Sequence, residues 1–329
     1  PLGATPHATG IGELDRVLGG GLVPGSVTLL GGEPGVGKST LLLQLLAGWG
    51  GKALYVTAEE SAQQVRLRAE RLGAVRPDLW LYAETSLPAV LQAVADTGPS
   101  LVVVDSIQTV ADPALGSAPG SVTQVRECAH QLVAVAKRTG VPVVLVGHVT
   151  KEGSLAGPRV LEHVVDTVLA FEGDRHHALR TVRAVKHRFG PTTELGLFEM
   201  LGEGLTGVPD PGALLLGDRR PDAAGSVVAA AVEGHRPLTV EVQALTTKGT
   251  EGVPSGRTAQ GLDRNRLSML LAVLQQHAHV PTGSHDVYAS TAGGLRLTEP
   301  GLDLAVCLAV ASSIGGGAFG ADVVVFGEV

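Results

Sequence analysis

The sequence predicts an α/β protein, a doubly wound and mostly parallel sheet followed by a smaller α+β domain. Three observations carry this. Apolar runs bounded by Gly, Pro and Asp alternate with helix-length segments through residues 27–171, as expected of strands buried on both faces beneath crossover helices. Hydrophobic residues make up 44% of the chain but aromatics only 3%, so the cores are built from Ala, Val and Leu, the usual filling of parallel sheets. Beyond these, the stretch LGEGLTGVPDPG, which ends at Gly212, gathers glycines, prolines and acids, and the pattern on either side of it differs. A length of 329 residues suits two domains on the usual scale of ~150 residues each.

Taken in order, the runs 27–30, 54–57, 101–105, 143–146 and 168–171 read as buried strands, and 40–49, 61–72 and 122–139 as the helices between them. Ser61 reads as a helix N-cap ahead of Gln63 and Gln64. This assigns residues 1–204 to the first domain, 205–212 to a linker and 213–329 to the second. In the second domain, 226–232 and 238–245 flank Glu233-Gly234-His235-Arg236-Pro237 and predict a hairpin. Helices are predicted at 265–277 and 302–313, and short strands near Val287 and at 323–326. The polar, Gly-rich stretch 249–261 reads as a mobile loop.

Composition excludes several classes. With 25 Lys and Arg against 32 Asp and Glu, the formal charge is −7 and no basic tail is present, so any DNA binding must come from local loops. Cys128 and Cys307 lie far apart and fit neither a disulfide framework nor a metal-ligand spacing, which predicts small core residues in a reducing, cytoplasmic setting. The longest apolar stretches, such as 41–48 and 305–311, fall far short of the ~20 residues that cross a bilayer, so no membrane partner is expected. A signal-peptide pattern is absent, and the start at Pro1 reads as that of a fragment. His176-His177 and His277-x-His279 lack cysteines or acids at metal spacing and read as surface histidines.

The strongest motif is Gly32-Glu33-Pro34-Gly35-Val36-Gly37-Lys38-Ser39, followed by Thr40. It fits the phosphate-binding G-x-x-x-x-G-K-[ST] loop between a strand and a helix. Glycines let backbone N–H groups wrap phosphates while the helix N-terminus faces negative charge. Lys38 is expected to reach the β- and γ-phosphates of ATP, and the Ser39 hydroxyl to hold Mg²⁺. Leu101-Val102-Val103-Val104-Asp105 is an apolar run ending in a carboxylate, which brings Asp105 to the Mg²⁺ shell, through water. Ser106 rather than Glu follows it, which counts against the AAA+ arrangement of a catalytic Glu directly after that Asp. The group that orients the attacking water must come from another strand. The run 54–57 leads into Ala58-Glu59-Glu60, making Glu59 the candidate and Glu60 the reserve.

Further residues show a resemblance to a known family. The lead-in Ala8-Thr9-Gly10-Ile11-Gly12-Glu13-Leu14-Asp15-Arg16-Val17-Leu18-Gly19-Gly20-Gly21, the phosphate loop, Tyr55 to Ser61, Asp105-Ser106-Ile107-Gln108-Thr109 and Lys186-His187-Arg188-Phe189-Gly190 resemble the bacterial RadA (Sms) family of RecA-like DNA repair and recombination ATPases. The last stretch is similar to the family's KNRFG motif with His187 in place of Asn. The resemblance implies a RecA-like P-loop core and a hexameric ring, with helicase activity on single-stranded and branched DNA beside a recombinase (RecA). It also implies that Lys186 and Arg188 reach a neighbouring protomer's γ-phosphate, as an arginine finger does. His148 falls where RecA relatives place a polar γ-phosphate sensor. The loops 112–123 and 150–159, the latter with Lys151 and Arg159, resemble DNA-facing loops, and Arg175, Arg180 and Arg183 form the densest basic stretch, suited to DNA or to a protomer interface.

The second domain is similar to the Lon protease domain, of the S5 domain 2-like class. Its nucleophile position is filled by Gly301 within Thr298-Glu299-Pro300-Gly301-Leu302-Asp303, so a proteolytically inactive domain, truncated at its C-terminus, is expected. Arg257, Arg264 and Arg266 are its candidate DNA contacts. The family's N-terminal four-cysteine zinc finger has no counterpart here, so zinc is expected only if a preceding finger exists. Two other readings stand beside the DNA motor: a nucleotide-controlled assembly switch for a partner recombinase, and an ATP-dependent Lon-like protease, which Gly301 opposes.

Overall fold

A computed structural model describes residues 5–148, 158–173, 178–249, 254–297 and 299–329, with the backbone alone of Pro158 and Arg159. It divides the chain into Pro1–Val208 and Pro209–Val329. Lys151, Arg175, His176, His177 and the side chain of Arg159 lie outside the described residues.

The first unit runs α1 (Gly12–Val17), β1 (Val27–Gly32), α2 (Lys38–Gly48), β2 (Ala53–Thr57), α3 (Ala62–Arg71), β3 (Leu79–Ala83), α4 (Leu87–Thr97), β4 (Leu101–Asp105) and α5 (Val122–Thr139). It continues through β5 (Val143–His148), α6 (Pro158–Leu161), β6 (Thr167–Glu172), β7 (Leu179–His187), β8 (Leu195–Leu201) and β9 (Gly204–Gly207). The sheet order is β3-β2-β4-β5-β1-β6-β7-β8-β9. Pairing is parallel from β3 to β6 and antiparallel from β6 to β9.

Period-two alternation builds two cores from one sheet. Leu30, Tyr55, Val103, Val144 and Val146 join the apolar faces of α2 and α3. Their neighbours Leu29, Leu54, Val56, Val102, Val104 and Leu145 join α4 and α5 on the other side. Both faces are covered, which is why these strands read as unbroken apolar runs. Caps define the helix ends: Ser61 forms a capping box with Gln64, as the sequence suggested, and Ser121 accepts from the Gln124 N–H at the start of α5. Gly140 ends α5 in the left-handed region with φ 74°.

Two stretches depart from the expectation. The edge strand β3 and the helix α4 lie where no element was predicted, although Leu79-Trp80-Leu81-Tyr82-Ala83 is itself a short apolar run; at the sheet edge it is only partly buried. Strands β7, β8 and β9 also lie where no element was predicted, and form an antiparallel meander beside the parallel strands. The expected linker 205–212 is also shorter than predicted. Residues Gly204–Gly207 pair with β8, and a new helix opens at Pro211 with Asp210 accepting from the Gly212 N–H.

The second unit comprises α7 (Pro211–Leu216), β10 (Ser226–Glu233), β11 (Arg236–Lys248), β12 (Arg257–Gln260), α8 (Arg264–His277), β13 (His285–Thr291), α9 (Asp303–Gly315) and β14 (Val324–Val325). Its sheet order is β12-β13-β11-β10-β14. The expected hairpin is β10 and β11, paired from Ser226 with Gln243 to Glu233 with Arg236. Helix α9 packs on β10 and β11, and α8 packs on α9. Part of the predicted mobile loop is instead ordered. Arg257–Gln260 pairs in parallel with β13, using backbone groups that a polar, Gly-rich composition concealed.

Candidate nucleotide site

Strand register brings the candidate residues to one edge of the first sheet. Gly32 at the end of β1 is level with His148 at the end of β5, and Thr57 of β2 is level with Asp105 of β4. Helix α2 then starts at Lys38, with Gly37 as its N-cap in the left-handed region at φ 114°. This is the carboxyl edge of a parallel sheet, where open α/β folds place their ligand crevice. A cavity of about 330 Å³ lies there, lined among others by Gly35, Gly37, Lys38, Ser39, Thr40 and Arg68.

Lys38 is buried, and its Nζ donates to the carbonyls of Gly32 at 2.8 Å and Glu33 at 2.9 Å. Burial lowers the Lys38 pKa, while Asp105 and Glu59 act against that shift. The Ser39 hydroxyl donates to Asp105 Oδ2 at 2.7 Å, and the Tyr55 hydroxyl donates to the same oxygen at 2.6 Å. Tyr55 is buried, and the loss of water together with the Asp105 charge raises its pKa well above the usual value.

Glu59 faces the cavity. Its Oε1 accepts from the Ser106 hydroxyl and lies 2.9 Å from His148 Nε2. The hydrogen bond from His148 is the largest cause of a lowered Glu59 pKa; Ser106 and the Lys38 charge add to it, against partial burial. Glu60, the reserve, is instead paired with Arg68 at 2.9 Å. Ser106 follows Asp105 through a cis peptide bond.

Lys186 and Arg188 lie elsewhere. Lys186 is level with Val168 and His187 with Thr167, and Thr167 is level with Thr28 near the start of β1. The phosphate loop begins four residues further along β1, about 13 Å away at ~3.3 Å per residue. Lys186 Nζ donates to the carbonyls of Glu162 and Val165, and Arg188 Nε is 3.8 Å from Asp166 Oδ1. Burial and the nearby Arg188 charge lower the Lys186 pKa. His187 contributes Nδ1 to a 3.1 Å contact with Thr167 Oγ1 and sets its ring edge-to-face with Phe189. Arg180, expected in an exposed basic stretch, is only 5% exposed, because β7 turns this side chain under the phosphate loop.

In the second unit, the candidate DNA contacts differ in what holds them. The Arg257 guanidinium donates to the carbonyls of Gly256, Thr282 and His285. Arg266 makes a bidentate pair with Asp303 and a second contact with Glu328, which raise its pKa. Both guanidinium groups thus have partners within their own unit. Arg264 is exposed at the start of α8. Gly301 sits in a short 3₁₀ turn ahead of α9, its carbonyl accepting from the Gly327 N–H.

Residues 8–154 match the family model described as an AAA domain. The chain is 52% identical over 308 residues to DNA repair protein RadA of Bacillus subtilis, covering 93% of this chain and 67% of that one. It is 51% identical over 303 residues to the protein of the same name from Streptococcus pneumoniae, covering 92% and 72%. The chain belongs to the RadA family. A KaiC-like protein from Pyrococcus horikoshii matches with TM-score 0.52 and 22% identity over 63% of this chain and 100% of its own, a likeness of fold. The first unit is therefore a RecA/KaiC-like P-loop fold, and no helix among the described residues is long and apolar enough to cross a membrane.

The site of this RadA-family chain fits a magnesium nucleotide. Gly37 sits at φ 114°, a conformation that residues with a side chain rarely adopt, so the loop requires bare backbone there. The Ser39 hydroxyl and the Asp105 carboxylate converge as hard oxygen donors of the kind Mg²⁺ takes. Tyr55, Arg68, Ser106 and Arg180 escaped the sequence reading as parts of this site. Tyr55 carried a usable signal: a tyrosine within a fully buried strand needs a partner for its hydroxyl.

Proposed function

We propose that the chain is the ATP-hydrolysing core of a DNA motor in recombinational repair. In this reading it assembles as a hexameric ring on single-stranded DNA and promotes branch migration on branched substrates beside a RecA-type recombinase. The names of its relatives support a role in DNA repair. The single observation that carries the ring is the distance of Lys186 and Arg188 from the phosphate loop of their own chain. Two cations of a family motif that stand this far from their own nucleotide site would serve a neighbour's, exchanging their present carbonyl and Asp166 partners for its phosphates.

Phosphates of ATP would lie on the backbone N–H groups of residues 32–39, with Lys38 turning from its two carbonyl partners to the β- and γ-oxygens. Ser39 and Asp105 would hold Mg²⁺, which when bound neutralises charge on the transferring phosphoryl group. Glu59 stays ionised well below neutral pH and orients the attacking water. The neighbour's Lys186 and Arg188 stabilise the developing charge. His148 touches Glu59 and ends β5, and the sequence segment with Lys151 follows it, so a change at the γ-phosphate would be passed from Glu59 through His148 toward that candidate DNA-contacting segment. Exposed Arg264 is the best-placed DNA contact of the second unit, which serves as a Lon-like scaffold without peptidase chemistry. The two buried, unpaired cysteines suit the cytoplasm.

The test is steady-state ATP hydrolysis with and without single-stranded DNA at one fixed low salt concentration, because phosphate contacts weaken steeply with salt. Lys38→Ala and Lys186→Ala are measured alone and mixed. DNA stimulation of the unaltered chain, and a mixture that hydrolyses more than either variant alone, are expected. A mixture no better than its parts sinks the trans assignment. Turnover indifferent to DNA sinks the motor and favours the nucleotide-controlled assembly switch.

A further inference from the structure

We propose that Arg180 is a positioning residue for the nucleotide's phosphates, acting through the Val36 carbonyl to aim the Gly37 N–H into the phosphate cradle. Arg180 lies on β7 and is only 5% exposed. Its Nε donates to the Val36 carbonyl at 3.0 Å, across 144 residues of sequence, and its Nη1 donates to the Leu179 carbonyl at 2.9 Å. Space for its stem comes from Gly173, where a Cβ would collide with Arg180 Cδ.

The consequence follows from peptide geometry. In a planar trans peptide the C=O and the N–H point in opposite directions. The Val36 carbonyl and the Gly37 N–H belong to one such unit. A guanidinium that holds the carbonyl on the β7 side therefore turns the N–H the other way, towards the cavity that Gly37 lines. Gly37, at φ 114°, has no side chain to restrain the peptide before it, so a neighbour that fixes the Val36 carbonyl narrows the choice. A charged donor is suited to that task, because hydrogen bonds from ionised groups are about twice as strong as neutral ones. The buried cation also adds positive potential behind the place where phosphate charge collects. Arg180 touches no reacting atom; its effect passes through one backbone carbonyl.

This inference rests on the reading of the cavity as a nucleotide site. The experiment is calorimetric titration of the full chain with ADP, for the unaltered protein, Arg180→Gln, Arg180→Lys and Lys38→Ala, with thermal unfolding of each in the absence of nucleotide. Arg180→Gln is expected to raise the ADP Kd about tenfold, equal to about 1.4 kcal/mol, while still unfolding cooperatively. Arg180→Lys keeps a cationic donor and is expected to recover much of that loss. A folded Arg180→Gln chain that binds ADP within twofold of the unaltered protein overturns the proposal. So does a Lys variant as defective as the Gln variant, since a charge-held carbonyl must respond to the charge. Failure of the unaltered chain to bind ADP, or a Lys38→Ala chain that binds as well, overturns the nucleotide reading and this proposal with it.

Discussion

At the scale of single residues, the chemistry concentrates on one carboxylate oxygen. Glu59 Oε1 is shared by Ser106 and His148, and the second of these does most to lower its pKa. A lowered pKa means the carboxylate persists as pH falls, so Glu59 sets no acid limb near neutrality. Removing His148 takes away the largest lowering influence, and the Glu59 pKa rises. The pH profile of kcat/KM is therefore expected to show its acid limb at higher pH in His148→Ala than in the unaltered chain. Glu59→Gln is expected to cut kcat by about 10²–10⁴ with ADP affinity retained, the range for a lost general base. Full activity in Glu59→Gln would remove it from the chemistry. The Glu59 assignment was legible because Ala58-Glu59-Glu60 follows an apolar run, yet nothing local separates Glu59 from Glu60. That separation comes from Arg68, one helical stretch away, which pairs with Glu60.

Elements place these residues, and their legibility follows from how they are buried. Strands β1, β2, β4, β5 and β6 are covered on both faces, so each is a continuous apolar run that sequence reveals. Strand β3, Leu79-Trp80-Leu81-Tyr82-Ala83, is an equally apolar run although it lies at the sheet edge with Trp80 48% exposed, so apolar composition marks it as well. Strand β7 carries Arg180 near one end and Lys186 at the other, and its charges masked a strand as a basic stretch. Helix α3, which brings Arg68 to Glu60, depends on its first turn. Ser61 accepts from the Gln64 N–H at 3.3 Å, while Gln64 Oε1 accepts from the Ser61 N–H at 3.0 Å. Ser61→Ala is expected to cost about 1 kcal/mol, the usual value of an N-cap, measured by urea unfolding. An unchanged midpoint would show that tertiary packing alone sets this helix.

For the whole molecule, two units share the chain, and the nucleotide chemistry belongs to the first. Within the second, position 301 is a glycine and lacks a side chain. The position that the family resemblance gives to a nucleophile therefore carries no attacking group, so hydrolysis of casein by the purified chain is expected to be nil with or without ATP. Casein cleavage that survives repurification would overturn this. By itself, the amino-acid sequence determined the parallel core, the phosphate loop, the Asp105 strand and the change of pattern before Gly212. Each of these is a local signal, carried by period, by turn residues or by a motif of fixed spacing. Tertiary structure alone decided that Tyr55 grips Asp105, that His148 and Ser106 hold Glu59, that Arg180 lies under the phosphate loop and that Lys186 stands at the far end of the sheet. These contacts join segments up to 144 residues apart, and strand order with register, rather than any neighbouring residue, brings them together.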